Sequence, residues 1–296
     1  MNAPNDNMSY NTTFSLHNDK LLGFAEFGAK NGFPVFHFHS TGSSRFEGEL
    51  FDKLGKEKKI RIIGVDRPGF GLSEFQAREL LDWPNTLLEL VDFLEIDNFS
   101  VMGISGGGPH AIACAYSLSD KLENCIAIGS PGPPEIGNKY FPRLVRLQGW
   151  IFKHFPFFYV QYMKRILKIS SNPVSLKSFV QRFKKRYPPA DAKFILEDQG
   201  EYLPIISRAI KEGTRESFNG AVQEMKIFSS SWGFNLKDIS TKQKVVLWHG
   251  EDDMTYKAAQ EISELIPNCV QKFFQGEGHF SVFINHLDKI LDEIIS

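Results

Sequence analysis

Apolar and polar positions alternate in short, regular patterns over roughly the first 130 residues of the chain. Residues 11–17 and 21–27 alternate around a polar Asn18-Asp19-Lys20 turn, a pattern that predicts an opening β-hairpin. Nearly continuous apolar runs at residues 34–39, 60–65, 99–102 and 122–128 predict buried strands. Apolar residues at helical spacing predict helices over residues 80–94 and 109–116.

The alternation of predicted strands and helices stops after the sixth strand and resumes near residue 238. The intervening stretch is helical and aromatic, whereas strands return at 244–249 and 270–274, with helices over 258–266 and 287–295. Strands that alternate with helices predict a mostly parallel sheet, here of eight strands, covered by helices on both faces. We therefore predict an α/β fold with core residues 1–132 and 238–296. A helical cap insertion, residues 133–237, is expected to lie over the carboxyl ends of the strands.

A glycine cluster follows the strand predicted at residues 99–102. Gly103-Ile104-Ser105-Gly106-Gly107 fits the GxSxG pattern, in which a tight strand-to-helix turn exposes a serine at the end of a sheet. A serine on so sharp a bend needs neighbours without side chains, because strand and helix pass close together there. Ser105 is thus a candidate nucleophile. The alternative is a glycine-rich turn whose serine is hydrogen-bonded and inert.

Groups that could activate a serine lie beyond the last two predicted strands. A serine hydroxyl needs a base near neutral pH, and the base needs a partner that holds its tautomer and stabilises its charge. His279 occupies a glycine-flanked loop, and three adjacent carboxylates, Glu251, Asp252 and Asp253, follow the preceding strand. The chain order of serine, carboxylate and histidine is the one that α/β-hydrolases use.

Five segments together resemble the capped, esterase-like branch of the α/β-hydrolase superfamily. They are His39-Ser40-Thr41-Gly42-Ser43-Ser44-Arg45, Asp66-Arg67-Pro68-Gly69-Phe70-Gly71-Leu72-Ser73, the glycine cluster around Ser105, His249-Gly250-Glu251-Asp252-Asp253 and Gly276-Glu277-Gly278-His279. The resemblance implies the α/β-hydrolase fold. It also implies Ser105 as nucleophile, His279 as base and Asp253 as the orienting acid, since the family places its aspartate after a glycine and two further residues. Asp252 is the alternative acid.

The resemblance also implies an oxyanion hole and no metal or organic cofactor. In this fold the hole is formed by the backbone N–H of the residue after the serine, here Gly106, and by an N–H from the loop after the third strand, here Thr41. Relatives usually carry His-Gly followed by a Pro-Gly pair, whereas this chain has His39-Ser40 and Gly42-Ser43. Ser40 restricts the loop and the missing proline loosens it, so we expect its geometry to differ from the family pattern.

The function predicted from these features is a serine hydrolase that cleaves a small, largely uncharged ester through an acyl-enzyme. An aminopeptidase or amidase, or a carbon–carbon bond hydrolase, could use the same residues. An aminopeptidase would need acidic groups for the substrate ammonium, and five are available in the predicted cap: Glu197, Asp198, Glu201, Glu216 and Glu224. A non-catalytic ligand-binding protein on a hydrolase scaffold is the alternative from a different class.

Composition limits the classes of partner and the cellular compartment that we expect for this protein. The 296 residues carry a formal net charge of −1, so no overall basic field attracts nucleic acid or an anionic membrane, and we expect a small-molecule substrate. Neither a signal-like N-terminus nor a membrane-spanning stretch is evident, so no stable membrane insertion is expected. Cys114, Cys125 and Cys269 are predicted to be reduced core thiols of a cytoplasmic protein. The sequence leaves the oligomeric state open.

Several other groups have structural interpretations. His37 and His249 lie on predicted buried strands and are interpreted as neutral core histidines, and His39 is expected to brace the oxyanion loop. Asp66 and Arg67 are expected to pin a loop. The aromatic stretch 150–162 is predicted to form the packing of the cap itself, and the basic run 182–186 a solvated helix face.

Overall fold

The computed structural model describes residues 10–296; residues 1–9, the polar start of the chain, lie outside the described residues. Eight strands are present within it. They are β1 (Thr12–Ser15), β2 (Leu21–Gly28), β3 (Phe33–Phe38), β4 (Ile60–Val65), β5 (Phe99–Ile104), β6 (Leu122–Ile128), β7 (Lys244–Gly250) and β8 (Cys269–Phe274). Each overlaps a strand predicted from the sequence: β1 and β2 from the alternation of apolar and polar residues, and the others from nearly continuous apolar runs.

The strands form one open sheet in the order β1-β2-β4-β3-β5-β6-β7-β8. β2 pairs antiparallel with β1 and β4, and the remaining neighbours are parallel. The predicted eight-stranded, mostly parallel sheet is therefore confirmed. The carboxyl ends of β5, β7 and β8 lie at the same edge, and this edge carries the loops that hold Ser105, Asp253 and His279.

Thirteen α-helices are present within the described residues. They are α1 (Asp52–Lys58), α2 (Asp82–Phe93), α3 (Gly108–Ser117), α4 (Pro134–Tyr140), α5 (Arg143–His154), α6 (Pro156–Ser170), α7 (Pro173–Phe183), α8 (Pro189–Glu197), α9 (Leu203–Gly213), α10 (Asn219–Phe228), α11 (Tyr256–Leu265), α12 (Ser281–Ile284) and α13 (Leu287–Ile294). Two large apolar clusters fill the space on the two faces of the sheet. In α13, Leu287, Ile290, Leu291 and Ile294 recur at three- and four-residue spacing and are buried, so a single stripe attaches the helix.

Helices α4 to α10 follow one another between β6 and β7, and we refer to residues 134–228 as the helical insertion. Its contacts with the core include the packing of α9 against the short helical segment Arg45–Phe51, and its own small cluster contains Tyr159, Met163 and Leu167. In the part of the chain that the structure describes, no helix is both long and apolar enough to cross a membrane.

The aromatic stretch 150–162 does not pack as predicted. Tyr159 is buried and Phe152 is half-buried, but Trp150, Phe155 and Phe157 are each more than half exposed. Helices α5 and α6 lie at the surface, so each can bury only the face turned toward the protein. Aromatic residues on the other face therefore remain in contact with solvent.

Candidate active site

Ser105 occupies a sharp turn between β5 and α3. Its φ of 52° lies in the left-handed region, where a residue with a side chain is strained. The neighbouring glycines make the turn possible: a Cβ on Gly103 would lie 2.2 Å from the Gly107 carbonyl oxygen, and a Cβ on Gly107 would lie 2.0 Å from the Phe38 carbonyl oxygen. The backbone thus meets the steric demand that the GxSxG pattern indicates.

Ser105, His279 and Asp253 form one hydrogen-bonded chain. His279 Nε2 lies 3.0 Å from Ser105 Oγ, and His279 Nδ1 lies 2.5 Å from Asp253 Oδ2. With the Nδ1–H donating to the carboxylate, Nε2 is free to accept from the serine hydroxyl. Residues 105 and 279 are 174 positions apart, and they meet because β5 and β8 end at the same edge of the sheet.

Burial and charge shift the pKa values of His279 and Asp253 in opposite directions. Burial by itself lowers the pKa of His279, but the charge of Asp253 and the hydrogen bond to it outweigh burial, so the pKa lies above its ordinary value. Burial by itself raises the pKa of Asp253, but His279, His249 and the Thr255 N–H hold it well below its ordinary range. Asp253 is therefore ionised wherever His279 titrates, and the histidine is the group of the pair whose protonation sets the pH dependence.

This balance predicts the pH dependence of any reaction that uses His279 as a base. We expect kcat/KM of such a reaction to fall toward acid pH with an apparent pKa above about 6.5, because only the neutral imidazole can accept the Ser105 proton. Asp253→Asn should move that midpoint to lower pH, since the charge that raises the pKa is gone. Asp252→Asn, at the exposed neighbouring carboxylate, is the matched control and should leave the midpoint in place. An unchanged midpoint in Asp253→Asn, measured in pH–rate profiles, would contradict the assigned pairing.

Asp253 is held by a network that includes a second histidine. Asp253 Oδ1 accepts hydrogen bonds from the backbone N–H and the hydroxyl of Thr255, each at 2.9 Å. The Thr255 hydroxyl also lies 2.9 Å from His249 Nε2, which is 3.5 Å from Asp253 Oδ2. Burial lowers the pKa of His249 to about 4, against the opposing charge of Asp253, so this imidazole is neutral at pH 7. Among Glu251, Asp252 and Asp253, the structure brings Asp253 to His279.

The two residues expected to form the oxyanion hole lie next to each other. A Cβ on Gly106 would fall 2.0 Å from Thr41 Oγ1 and 3.1 Å from the Thr41 backbone nitrogen, so only a glycine fits beside this loop. Within residues 10–296, the Thr41 N–H donates to no acceptor. The Ser40 N–H, at the position where the chain departs from the family pattern, donates to Glu47 Oε2 at 2.8 Å.

A buried network from the helical insertion fixes this loop from the other side. Glu224 of α10 is fully buried; its Oε2 accepts the Thr41 hydroxyl at 3.0 Å and its Oε1 accepts Arg67 Nε–H at 2.5 Å. Arg67, also fully buried, donates through Nη1 to the His39 carbonyl oxygen, and its backbone N–H donates to His39 Nε2 at 3.2 Å. His39 Nδ1 in turn lies 2.8 Å from the Ser40 carbonyl oxygen. Thr41, Glu224, Arg67 and His39 thus form one continuous set of contacts.

Asp191, on α8 of the insertion, holds the loop that carries His279. Its carboxylate accepts three backbone N–H groups in succession, from His279 at 2.9 Å, Phe280 at 3.0 Å and Ser281 at 2.8 Å. Such charge-assisted bonds are stronger than neutral ones and resist displacement of the loop. Sequence reasoning missed Asp191, because a single aspartate after two prolines carries no pattern that points to a loop 88 residues away.

Two further histidines near the site are buried and neutral at pH 7. Burial and the charge of Arg67 lower the pKa of His39 and of His110 well below the ordinary value. His110 Nδ1 lies 3.0 Å from the Gly106 carbonyl oxygen, so it supports the turn after Ser105. Neither side chain is placed as His279 is, within hydrogen-bond distance of the Ser105 hydroxyl. In residues 10–296 no group of three or more His, Cys, Asp or Glu side chains is arranged to hold a metal ion.

Comparison with known proteins agrees with this architecture. The sequence profile of the alpha/beta hydrolase family matches residues 32–293. An esterase from Exiguobacterium antarcticum superposes with a TM-score of 0.68 at 19% identity, covering 96% of this chain and 98% of that one. The enol-lactonase of Burkholderia xenovorans LB400 superposes with a TM-score of 0.65 at 15% identity, covering 96% and 98%.

Among curated sequences, a 2-hydroxymuconate semialdehyde hydrolase from Pseudomonas sp. (strain CF600) is 29% identical over 106 residues, which is 34% of this chain and 38% of that protein. The chain spans between 35% and 38% of the length of the curated relatives that it matches. The family match, in contrast, extends over most of the sheet and the whole insertion. The chain belongs to the alpha/beta hydrolase family.

Proposed function

We propose that this protein is a serine hydrolase that cleaves small, largely uncharged esters through an acyl-enzyme intermediate. The observation that supports the proposal most directly is the unbroken hydrogen-bonded chain from Ser105 through His279 to Asp253. A serine that is only structural has no need of a histidine whose other nitrogen donates to a buried carboxylate. The Thr41 N–H beside Gly106, which has no acceptor within residues 10–296, supports the same interpretation.

In the proposed reaction, the same groups act first in the formation of the acyl-enzyme and then in its hydrolysis. Ser105 Oγ attacks the ester carbonyl carbon as its proton passes to His279 Nε2, and the carbonyl oxygen becomes an oxyanion held by the N–H groups of Thr41 and Gly106. Collapse of this intermediate releases the alcohol, which takes the proton from His279. Water then attacks the acyl-Ser105 with His279 again as base, and the acid product leaves with the Ser105 hydroxyl restored. Asp253 stabilises the imidazolium throughout.

Two of the acidic residues in the insertion are already paired with arginine, which favours an ester over a substrate with a free ammonium group. Glu224, one of the five acidic candidates for an aminopeptidase, already neutralises Arg67 and accepts the Thr41 hydroxyl. Glu216 is paired with Arg215 at 2.9 Å on the surface. Carbon–carbon bond cleavage stays as the second candidate, because one curated relative is named a 2-hydroxymuconate semialdehyde hydrolase.

A comparison of substrates separates these reactions. For simple acyl p-nitrophenyl esters we expect kcat/KM at least about 100-fold higher than for aminoacyl arylamides with an equivalent leaving group, since Glu224, the acidic candidate that contacts the loop of Thr41, is already paired with Arg67. 2-Hydroxymuconate semialdehyde, which the name of the curated relative specifies, is the test substrate for carbon–carbon cleavage and should be turned over more slowly than the esters. Arylamide turnover equal to ester turnover would contradict the ester assignment.

We further propose that residues 133–237 act as a cap on the core and that the protein is cytoplasmic. The cap proposal rests on Glu224 and Asp191, which extend from the insertion to the loops of Thr41 and His279. The proposed compartment rests on the three cysteines, which are all unpaired; Cys114 and Cys125 are buried and Cys269 is half-buried.

A further inference from the structure

The net charge of −1 conceals a strongly uneven distribution. Residues 136–190 contain 12 Lys and Arg side chains and no Asp or Glu, whereas the other 241 residues contain 22 basic and 35 acidic side chains. This stretch comprises most of α4, all of α5, α6 and α7, and the start of α8. The net charge of the whole chain therefore conceals a local electrostatic field of positive sign.

Most of these cations face solvent without a carboxylate partner. Eleven of the twelve are exposed, and one of these, Lys139, pairs with Glu261. The other ten exposed cations are Arg143, Arg146, Lys153, Lys164, Arg165, Lys168, Arg182, Lys184, Lys185 and Arg186. In the described part of the chain, no Asp or Glu oxygen lies within 4.0 Å of any of the ten, although 16 other ion pairs between Lys or Arg and carboxylates are present. The positive charge is thus left uncompensated by the protein itself.

The same helices expose large apolar side chains. Along α5, Leu144, Leu147 and Trp150 recur at three-residue spacing and are 80%, 53% and 55% exposed. At the start of α6, Phe157 and Phe158 are 66% and 54% exposed, and their rings contact each other. Large apolar groups kept in water at this density indicate a partner surface.

The apolar groups of the two helices form one surface, which we call the basic aromatic face. Its rings are connected from α5 to α6 through Phe155, whose centroid lies 6.3 Å from that of Trp150 and 6.4 Å from that of Phe158. Exposed cations lie within the same helices, as Arg143 and Arg146 on α5 and Arg165 on α6. Tryptophan and phenylalanine flanked by arginine and lysine are typical of helices that lie in a membrane interface.

We propose that the basic aromatic face docks on an anionic lipid bilayer, with α5 and α6 lying in the plane of the interface. Lysine and arginine are attracted to the negative surface potential, while the aromatic and leucine side chains enter the boundary between headgroups and acyl chains. This peripheral binding needs no membrane-spanning helix. It also does not depend on the reaction that we propose for Ser105.

The charge and the apolar groups of this face argue against two other partners, a second copy of the chain and a nucleic acid. A second copy of the chain would bring two surfaces of the same positive sign together around the apolar groups, which costs free energy that the contact would have to overcome. A nucleic acid would match the charge, but its phosphates would leave Leu144, Trp150 and Phe157 without an apolar environment. A bilayer surface supplies both the negative charge and the apolar layer.

Helix α6 also connects this face to the site. Its buried side carries Tyr159, Met163 and Leu167, and a Cβ on Gly42 of the oxyanion loop would lie 2.9 Å from Leu167 Cδ1. One helix therefore presents Phe157 and Phe158 to the surroundings and Leu167 to the loop that carries Thr41. Docking through α6 would bring the loop of Thr41 near the lipid surface.

Vesicle sedimentation of the full chain tests the proposal. The protein should bind vesicles of equal parts phosphatidylglycerol and phosphatidylcholine at least about tenfold more strongly than vesicles of phosphatidylcholine alone, and high salt should remove most of that difference. Equal binding to both kinds of vesicle, or no binding to either, would overturn the proposal. Self-association that occurs without lipid and occludes this face would instead identify a second copy, and binding to duplex DNA but not to vesicles would identify a nucleic acid.

Matched charge reversals show whether this face is responsible. The test variant combines Arg143→Glu, Arg146→Glu and Arg165→Glu, and it should bind anionic vesicles at least about tenfold more weakly than the unaltered chain. The control variant reverses the same number of exposed lysines outside the insertion: Lys30, Lys242 and Lys257. It should bind as the unaltered chain does. Equal weakening by the two triple variants would mean that total charge, and not this face, governs binding.

The aromatic side chains supply an independent test. Phe157→Ala combined with Phe158→Ala should weaken binding to anionic vesicles at low salt by about tenfold, since two exposed rings no longer enter the bilayer. Circular dichroism confirms that the variants are folded, and hydrolysis of a short soluble ester should continue at the rate of the unaltered chain. Undiminished binding by both this variant and the charge-reversal variant would exclude the basic aromatic face.

Discussion

Ser105→Ala is expected to lower kcat/KM for a short p-nitrophenyl ester by more than about 10⁴-fold, because the variant has no oxygen to form the acyl-enzyme. The fold should survive, since alanine keeps the Cβ and removes only the hydroxyl that meets His279 Nε2. The free energy of unfolding should therefore change by less than about 1 kcal/mol. Kinetics and denaturant titration measure the two quantities separately.

A second replacement at the same position separates chemistry from backbone strain. Ser105→Gly should be equally inactive but slightly more stable, because glycine adopts the φ of 52° without the steric cost of a Cβ. A serine-directed fluorophosphonate adds a direct readout: the unaltered chain should gain one adduct, and Ser105→Ala none. Ser117→Ala, at an exposed serine of α3, is the matched control and should label fully. Ester turnover retained by Ser105→Ala would refute the mechanism, and a folded protein that never labels would favour a ligand-binding protein.

Glu224→Gln is expected to lower both stability and turnover. The substitution keeps the shape of the side chain but leaves the fully buried Arg67 guanidinium without its counter-ion, and breaking a buried pair in this way costs about 3–5 kcal/mol. Because the Thr41 hydroxyl also loses a charged acceptor, the oxyanion loop should shift, and small displacements of catalytic groups cost up to about 100-fold in rate. We expect a fall in kcat with little change in KM.

The control for Glu224 is another carboxylate of the insertion. Glu216→Gln changes an exposed residue and should alter neither stability nor kcat measurably. Kinetics are measured well below the melting temperature of Glu224→Gln, so that both proteins are folded. If kcat there equals that of the unaltered chain, Glu224 only stabilises the fold and has no part in positioning Thr41.

Asp191 and Glu224 suggest how the insertion contributes to the proposed reaction. One carboxylate holds the backbone beside His279, and the other holds the side chain of Thr41. Both are buried, so water competes little for these bonds. The two loops that must stay aligned with Ser105 are thus attached to the same set of helices, and movement of the insertion would change the geometry of both.

The features that the sequence predicted best are those that depend on a local pattern of residues. The strands followed from apolar runs or from the alternation of apolar and polar residues, and the turn at Ser105 followed from glycines two positions away on either side. Both features depend on residues close in the chain. The neutral state of His249 was also predictable, because a histidine within an apolar strand is buried with it. Such features need only the periodicity of the backbone and the size of neighbouring side chains.

The aromatic stretch 150–162 shows where the pattern was insufficient. Helical spacing and aromatic content predicted packing within the cap, but the same residues serve equally well for burial or for an external surface. Which of them is buried depends on the face that α5 and α6 turn toward α9 and α10. Tyr159 and Phe157 differ by two positions, and one is buried while the other is 66% exposed.

The sequence by itself determined the strands along the chain and the glycine turn at Ser105, because apolar patterning and steric rules are local properties of the residues. It left Asp252 open beside Asp253, and the tertiary structure brought Asp253 to His279. Tertiary structure alone decided that Asp191 and Glu224 hold the loops of His279 and Thr41, across 88 and 183 positions. It also decided that most of the cations of residues 136–190, like Trp150 and Phe157, are exposed to solvent. Contacts over such separations arise only when helices dock, and docking depends on the shapes of whole surfaces rather than on any short pattern.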